Sequence, residues 1–198
     1  WADIFNILIA SNNKIPLVKF FMKKELSWIP FIFLANKTLN MPFVHRHSRS
    51  EIEKDPQLRF KDYENTIKSC QRFKRAPSTI FSYAEGTRYT YEKKINQNSN
   101  FKNLLNPKSG GMATSLSILR NIDYLLDYTI IYKSDKRDAW SFLKGEMSIV
   151  KVISKKHKIP DILKNKDYIN DQIYRANFKE WIEGIWKEKD QLIEESKF

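Results

Sequence analysis

Strands alternating with helices along one stretch of chain predict an α/β fold: a single domain with a central mixed, mostly parallel sheet, flanking helices and a long C-terminal helix. Three observations carry that prediction. Runs rich in β-branched and aromatic residues at 15–22, 41–46, 78–83, 127–132 and 146–153 are separated by segments with helical apolar spacing. The chain has 198 residues, 41% of them hydrophobic and 14% aromatic, which is enough for one good core. No internal repeat or low-complexity linker divides it.

Trp1, Ile4, Phe5 and Leu8 fall at helical spacing, so the chain opens inside a helix. Ser11, Asn12, Asn13 and Lys14 form a loop. Residues 15–22 read as a strand with Pro16 near its beginning, and Lys23 follows it. Residues 26–39 read as a helix, with Pro30 tolerated in its first turn. Asn40, Met41 and Pro42 punctuate, and 41–46 form a short strand ending in His45 and Arg46. Residues 48–56 make a charged loop or helix start. Over 58–74, Tyr63, Ile67, Cys70 and Phe73 set an apolar stripe against a basic face of Lys61, Lys68, Arg72 and Lys74. Arg75, Ala76 and Pro77 stop that helix, and the strand at 78–83 follows. Residues 89–106 are rich in asparagine and weakly patterned, a long loop with some local structure. The turn from Pro107 through Gly111 leads into a helix marked by Met112, Leu116 and Leu119. Asn170 or Asp171 caps a final helix whose stripe is Tyr174, Phe178, Trp181, Ile182, Ile185, Leu192 and Ile193.

Formal net charge is +12 and the pI is near 9.6. That balance implies an anionic partner: nucleic acid, a membrane surface or phosphorylated small molecules. A single cysteine, Cys70, rules out an intrachain disulfide, and its place on an apolar stripe suits a small core residue. The most apolar run, residues 29–35, is far too short to span a bilayer. The chain opens at Trp1 inside an apolar periodic segment, which reads as a piece of a longer protein.

Candidate chemistry gathers at one strand end. The strand at 78–83 runs into Ala84, Glu85, Gly86, Thr87 and Arg88. Gly86 lets the backbone turn or approach something bulky, and Arg88 offers a planar fork of donors suited to phosphate. A glycine turn with a surface ion pair would give the same residues. Lys23, Arg46 and Arg88 all stand near predicted strand ends, where sites in open α/β sheets tend to lie. They make either a phosphate pocket or solvated edge charges. Gly110 and Gly111 ahead of a helix are open to two readings, an anion on free N–H groups or a tight helix start. The three histidines, His45, His47 and His157, have no metal-ligand spacing, so no metal site is expected.

Taken together, these blocks resemble the lysophospholipid acyltransferase family, the bacterial 1-acyl-glycerol-3-phosphate acyltransferases, and within it the YihG-like branch. Trp1-Ala2-Asp3 resembles the end of the first motif, Asn-His-x-x-x-x-Asp. Residues 23–31 resemble the Lys-x-x-Leu…Pro block, and Met41-Pro42-Phe43-Val44-His45-Arg46 the second motif. Glu85-Gly86-Thr87-Arg88 resembles the third motif, and Pro107-Lys108-Ser109-Gly110-Gly111 the later Lys-x-Gly-Gly block. Tyr168 to Asp171 and Trp186 to Asp190 resemble the YihG-like tail.

The resemblance implies an O-acyltransferase domain over residues 1–198, incomplete at its start. It implies transfer of a fatty acyl group from acyl-coenzyme A or acyl carrier protein to a lysophospholipid hydroxyl, lysophosphatidate above all, with no bound cofactor. Asp3 would orient the catalytic histidine, which falls upstream of Trp1, so the chain as written should not turn over. Arg46 and Arg88 would hold the acceptor's phosphate, with Glu85, Gly86 and Thr87 shaping the corner. Lys23, Lys108, Gly110 and Gly111 are further candidates. Expected partners are the acyl thioester donor, the lysophospholipid and an anionic membrane surface, each nearby Lys or Arg adding about 1 kcal/mol. The expected place is the cytoplasmic face of a bacterial inner membrane, with an anchor upstream. One departure is that residues 127–132 lack the Pro-Val of the family's fourth motif. A basic nucleic-acid-binding module is the alternative from another class. It accounts for the charge but gives no reason for Glu85 beside Gly86 and Arg88, which makes nucleic acid the disfavoured partner. A lipid-binding relative without catalysis is the third reading.

Overall fold

The computed structural model describes the chain apart from residues 1, 13, 17, 21, 24–26, 40, 42, 45–48, 56, 71–76, 78, 120–121, 169 and 197–198. At some positions within elements, Lys23 and Cys70 among them, only the backbone is described. Helix α1 spans Ala2–Ser11, and strands β1 (Val18–Phe20) and β2 (Met22–Lys23) follow. Next come α2 (Pro30–Thr38), β3 (Phe43–Val44), α3 (Arg49–Lys54), α4 (Gln57–Cys70) and β4 (Thr79–Phe81). They are followed by α5 (Tyr91–Asn96), α6 (Ser109–Ile118), β5 (Tyr124–Tyr132), α7 (Ala139–Leu143) and β6 (Val150–Lys158). A 3-10 turn at Asp161–Leu163 precedes the long α8, Gln172–Glu195.

The fold is α/β and ends in the expected long helix. Two of the three strand pairings among the described residues are parallel: β1 with β4, and β2 with β3. β5 and β6 pair antiparallel, from Tyr124 opposite Lys158 to Tyr132 opposite Val150. Parallel register sets Phe20 opposite Phe81, with ring centroids 5.1 Å apart, and Phe81 stacks edge-on against Tyr83 at 4.8 Å. Everything from Ser82 onward therefore leaves the sheet at its carboxyl edge.

Several boundaries differ from the sequence expectation. β4 is shorter than the predicted 78–83 strand and half-buried rather than buried. The helix expected over 26–39 starts at Pro30, after a tight turn at Ser27 and Trp28. The weakly patterned 89–106 segment contains α5, whose N-cap Thr90 accepts a hydrogen bond from the Lys93 N–H. α7 was not expected. Asp138 caps it by accepting from the Trp140 and Ser141 N–H groups. Asp171, not Asn170, caps α8 through the Tyr174 N–H.

The core forms along α8. Tyr174, Phe178, Ile182, Ile185 and Trp186 are buried there, against Leu104, Ala113, Leu116, Ile159 and Leu163. Spacing of four residues from Tyr174 to Phe178 to Ile182 to Trp186 gives one continuous apolar face. That face includes Trp186, which the predicted stripe omitted. Trp181 and Ile193 pack at its edge.

One ion pair joins α8 to β5. Lys189 Nζ lies 2.7 Å from Asp127 Oδ1 and also donates to the Tyr128 carbonyl at 2.8 Å. The two side chains are only 12% and 9% exposed, so each charge depends on the other. The neighbouring pair of Lys155 with Glu188 is 51% and 55% exposed and contributes at most about 1 kcal/mol. Lys189→Ala should therefore cost roughly 3–5 kcal/mol in chemical denaturation, whereas Lys155→Ala should stay within about 1 kcal/mol. Replacing the buried pair together, with Lys189→Met and Asp127→Leu, should recover most of the loss.

Candidate functional site

Beyond the end of β4 the backbone turns sharply. Gly86 adopts φ 67, and its N–H donates to the Tyr83 carbonyl at 2.9 Å. A side chain is disfavoured at that φ, and a Cβ there would lie 3.1 Å from Lys108 Cδ. The Lys108 N–H donates to the Ala84 carbonyl at 2.7 Å. The strand end and the start of α6 are thereby joined, and the Lys108 side chain lies over Gly86.

Glu85 does not pair with Arg88. Its Oε1 accepts from the Leu105 N–H at 3.2 Å. Burial pushes its carboxyl above the usual carboxylate range, partly offset by that hydrogen bond and by Lys189. The exposed Arg88 guanidinium makes no hydrogen bond or ion pair among the described residues. A third cation comes from α5: Lys93 Nζ donates to Thr87 Oγ1 at 2.8 Å and to the Arg88 carbonyl at 3.2 Å. Three cations from three segments thus surround Gly86 and Thr87.

Opposite them is Asp3, in the first turn of α1 and half-buried. Its Oδ1 accepts a hydrogen bond from the Tyr132 hydroxyl, and Asn6 Nδ2 donates to that hydroxyl at 3.0 Å. Tyr83 registers both sides of the site. Burial and the Asp3 charge push its phenol up, and Arg88 pulls it down.

Asp3 and the corner from Glu85 to Arg88 share one cavity of about 2100 Å³. Its walls are largely apolar, including Ile7, Val18, Ile80, Leu116, Ile122 and Ile130. The other predicted residues are placed differently. Arg46 lies outside the described residues, and Lys23 is described by its backbone in β2. A Cβ on Gly110 would stand 2.8 Å from the Tyr168 hydroxyl, so close packing requires the glycine there. The Gly111 carbonyl accepts from Ser115 Oγ within α6. Among the described residues no group of acidic, His or Cys side chains is disposed to hold a metal.

No family model and no solved structure matches the chain. Over 219 aligned positions, covering 98% of this chain, it is 26% identical to the 2-acyl-1-lysophosphatidylinositol acyltransferase of Saccharomyces cerevisiae. The match supports the lysophospholipid acyltransferase family. The chain spans about half, 54%, of that relative's length.

Set beside the acyltransferase motifs, two side chains were missed. Lys93 sits in a stretch without a clear pattern, and only its spacing of five residues from Arg88 hinted at a shared corner. Tyr132 ends a strand read as core, and nothing local marks it. The state of Glu85 has a testable sign. Its raised pKa means that its stabilising contribution is complete below the ordinary carboxylate range and is lost as pH rises through the folded value. Glu85→Gln keeps the acceptor for Leu105 and removes the ionisation. Thermal unfolding should show the variant matching wild type at acid pH and melting higher than wild type at neutral pH.

Proposed function

We propose that this chain is the acyl-transferring part of a lysophospholipid O-acyltransferase. The observation that carries the reading is an unpaired guanidinium, Arg88, lining the same cavity as the Asp3 carboxylate, which keeps one oxygen free, while Lys93 and Lys108 touch the neighbouring Thr87 and Gly86. Structural charges are normally neutralised, as Lys189 and Asp127 are, and charges left open in a cleft suit a ligand.

The lysophospholipid phosphate binds at the cationic corner through charge-assisted hydrogen bonds from Arg88. The resemblance assigns a second such contact to Arg46, which lies outside the described residues. Phosphate fixed there sets the acceptor hydroxyl toward Asp3 and the histidine it orients, which the resemblance puts upstream of Trp1. That histidine takes the hydroxyl proton as the oxygen attacks the thioester carbonyl. The thiolate of coenzyme A or acyl carrier protein leaves, and an ester forms. The apolar cavity wall accepts the fatty chain. Either lysophosphatidate, favoured by the YihG-like blocks, or a lysophosphatidylinositol, as in the yeast relative's name, brings the phosphate this corner requires.

We place the enzyme at a membrane surface, on the cytoplasmic side where acyl thioesters are made. Among the described residues no helix is long and apolar enough to cross a membrane. Trp28, in the turn before α2, and Phe31, in its first turn, are 88% and 85% exposed, and exposed aromatics of this kind suit contact with lipid.

The test is thiol release from acyl-coenzyme A by the full-length protein, given lysophosphatidate or lysophosphatidylinositol. Release with one of them identifies the acceptor, and release with neither sinks the reading. Arg88→Ala should raise the acceptor KM by about tenfold to a hundredfold, the loss expected for hydrogen bonds to a charged group. The KM for the acyl thioester should change far less.

A further inference from the structure

We propose that Tyr132 is a positioning residue: its phenol holds one oxygen of the Asp3 carboxylate so that the other is presented to the catalytic base. This inference rests on the acyltransferase reading and adds a residue outside the motif blocks that suggested it.

The hydrogen-bond inventory around Tyr132 is fully committed. A phenol has one proton to give, and the Tyr132 proton goes to Asp3 Oδ1. The phenol oxygen is in turn an acceptor for Asn6 Nδ2 at 3.0 Å, which fixes the direction of donation. The Arg137 guanidinium lies over the Tyr132 ring, 5.6 Å from its centroid, a cation–π contact that favours this ring position. Asp3, Asn6 and Arg137 are the charged and polar groups that act on this phenol. Burial and Asp3 push it well above the ordinary tyrosine range, against the opposing pull of Asn6 and Arg137. It therefore remains a donor throughout the pH range in which an acyltransferase works. Asp3 Oδ2 accepts no hydrogen bond among the described residues, so one lone-pair edge of the carboxylate stays open.

The clamp matters because packing holds α1 at only a few points. The helix has 10 residues, with Ala2, Ile7 and Ser11 buried and Leu8 and Ile9 exposed, so burial fixes its body but not the plane of the half-buried Asp3 carboxylate. Its side-chain ties to β5 are polar: Asp3 and Asn6 to Tyr132, and Ser11 Oγ to the Tyr128 hydroxyl at 3.0 Å. Tyr128 and Tyr132 are four residues apart on a strand and so share a face. A carboxylate on a short helix keeps a fixed plane only when a second element grips it, and β5 supplies that grip.

Tyr132→Phe in the full-length protein should lower kcat by about tenfold to a hundredfold, with the acceptor KM changed less than about threefold. The acid limb of the pH–rate profile should move upward, because an Asp3 without its donor stabilises the protonated base more strongly. Wild-type kcat and pH profile in a folded Tyr132→Phe protein would overturn the proposal. Should that variant fail to fold, carbon-13 NMR of ring-labelled tyrosine in the wild type decides. A Tyr132 phenol titrating in the ordinary range sinks the clamp. One titrating well above it, and brought down by Asp3→Asn, supports the clamp. A wild-type protein that releases no thiol instead defeats the acyltransferase reading, and the positioning role falls with it.

Discussion

The hydrogen bond from the Lys108 N–H to the Ala84 carbonyl, at 2.7 Å, is the constraint on which the site depends. It joins two segments that are far apart in the hydrophobic pattern, the end of β4 and the start of α6. With it in place, the chain between them must loop out and return, and α5 forms in that loop. The return leg supplies the Leu105 N–H to Glu85, and α5 supplies Lys93 to Thr87. Gly86 completes the turn at φ 67, a region in which a Cβ would also crowd Lys108. The corner is fixed by hydrogen bonds from three outside groups, the Lys108 and Leu105 N–H and the Lys93 ammonium, not by its own charged residues pairing with each other.

Charge is handled in two opposite ways in the same molecule. On the α8 side of β5, Lys189 and Asp127 neutralise each other, and the Tyr128 carbonyl accepts a further hydrogen bond from the ammonium. Asp3 and Arg88, which line the same cavity as that pair, act on a common neighbour, Tyr83, yet neither pairs with the other. Burial without pairing is costly, so Asp3 and Arg88 remain half-exposed and exposed while the structural pair is covered. The contrast separates charges that hold the fold from charges left open for a ligand.

Legibility from sequence followed the range of the interactions. The final helix was readable because burial repeats along it every three or four residues, and the α/β alternation was readable for the same reason. The corner from Glu85 to Arg88 was readable because glycine, carboxylate and guanidinium are an odd end for a strand. What could not be read was set by contacts across the fold. Asp127 is buried in β5 although it is charged, because Lys189 approaches from α8 and neutralises it. Trp186 is buried because it continues the four-residue spacing of Tyr174, Phe178 and Ile182 on the face of α8 that meets the core. α7 and α5 are short helices of five and six residues, held by the caps Asp138 and Thr90, and too brief for periodicity to register.

The same logic explains why the acidic side of the site needs support from a distant strand. Near a helix N-terminus the macrodipole favours a carboxylate such as Asp3, but that attraction has no preferred plane. Direction comes from hydrogen bonds, and within α1 no side chain gives one to Asp3: the Asn6 amide donates to Tyr132 instead. The donor arrives from another element, and among the described residues β5 is the strand whose tyrosine hydroxyls meet α1. β5 is itself fixed on its opposite side by Lys189. A path of direct contacts thus runs from the core helix α8, through a buried ion pair and one strand, to the orientation of a single carboxylate.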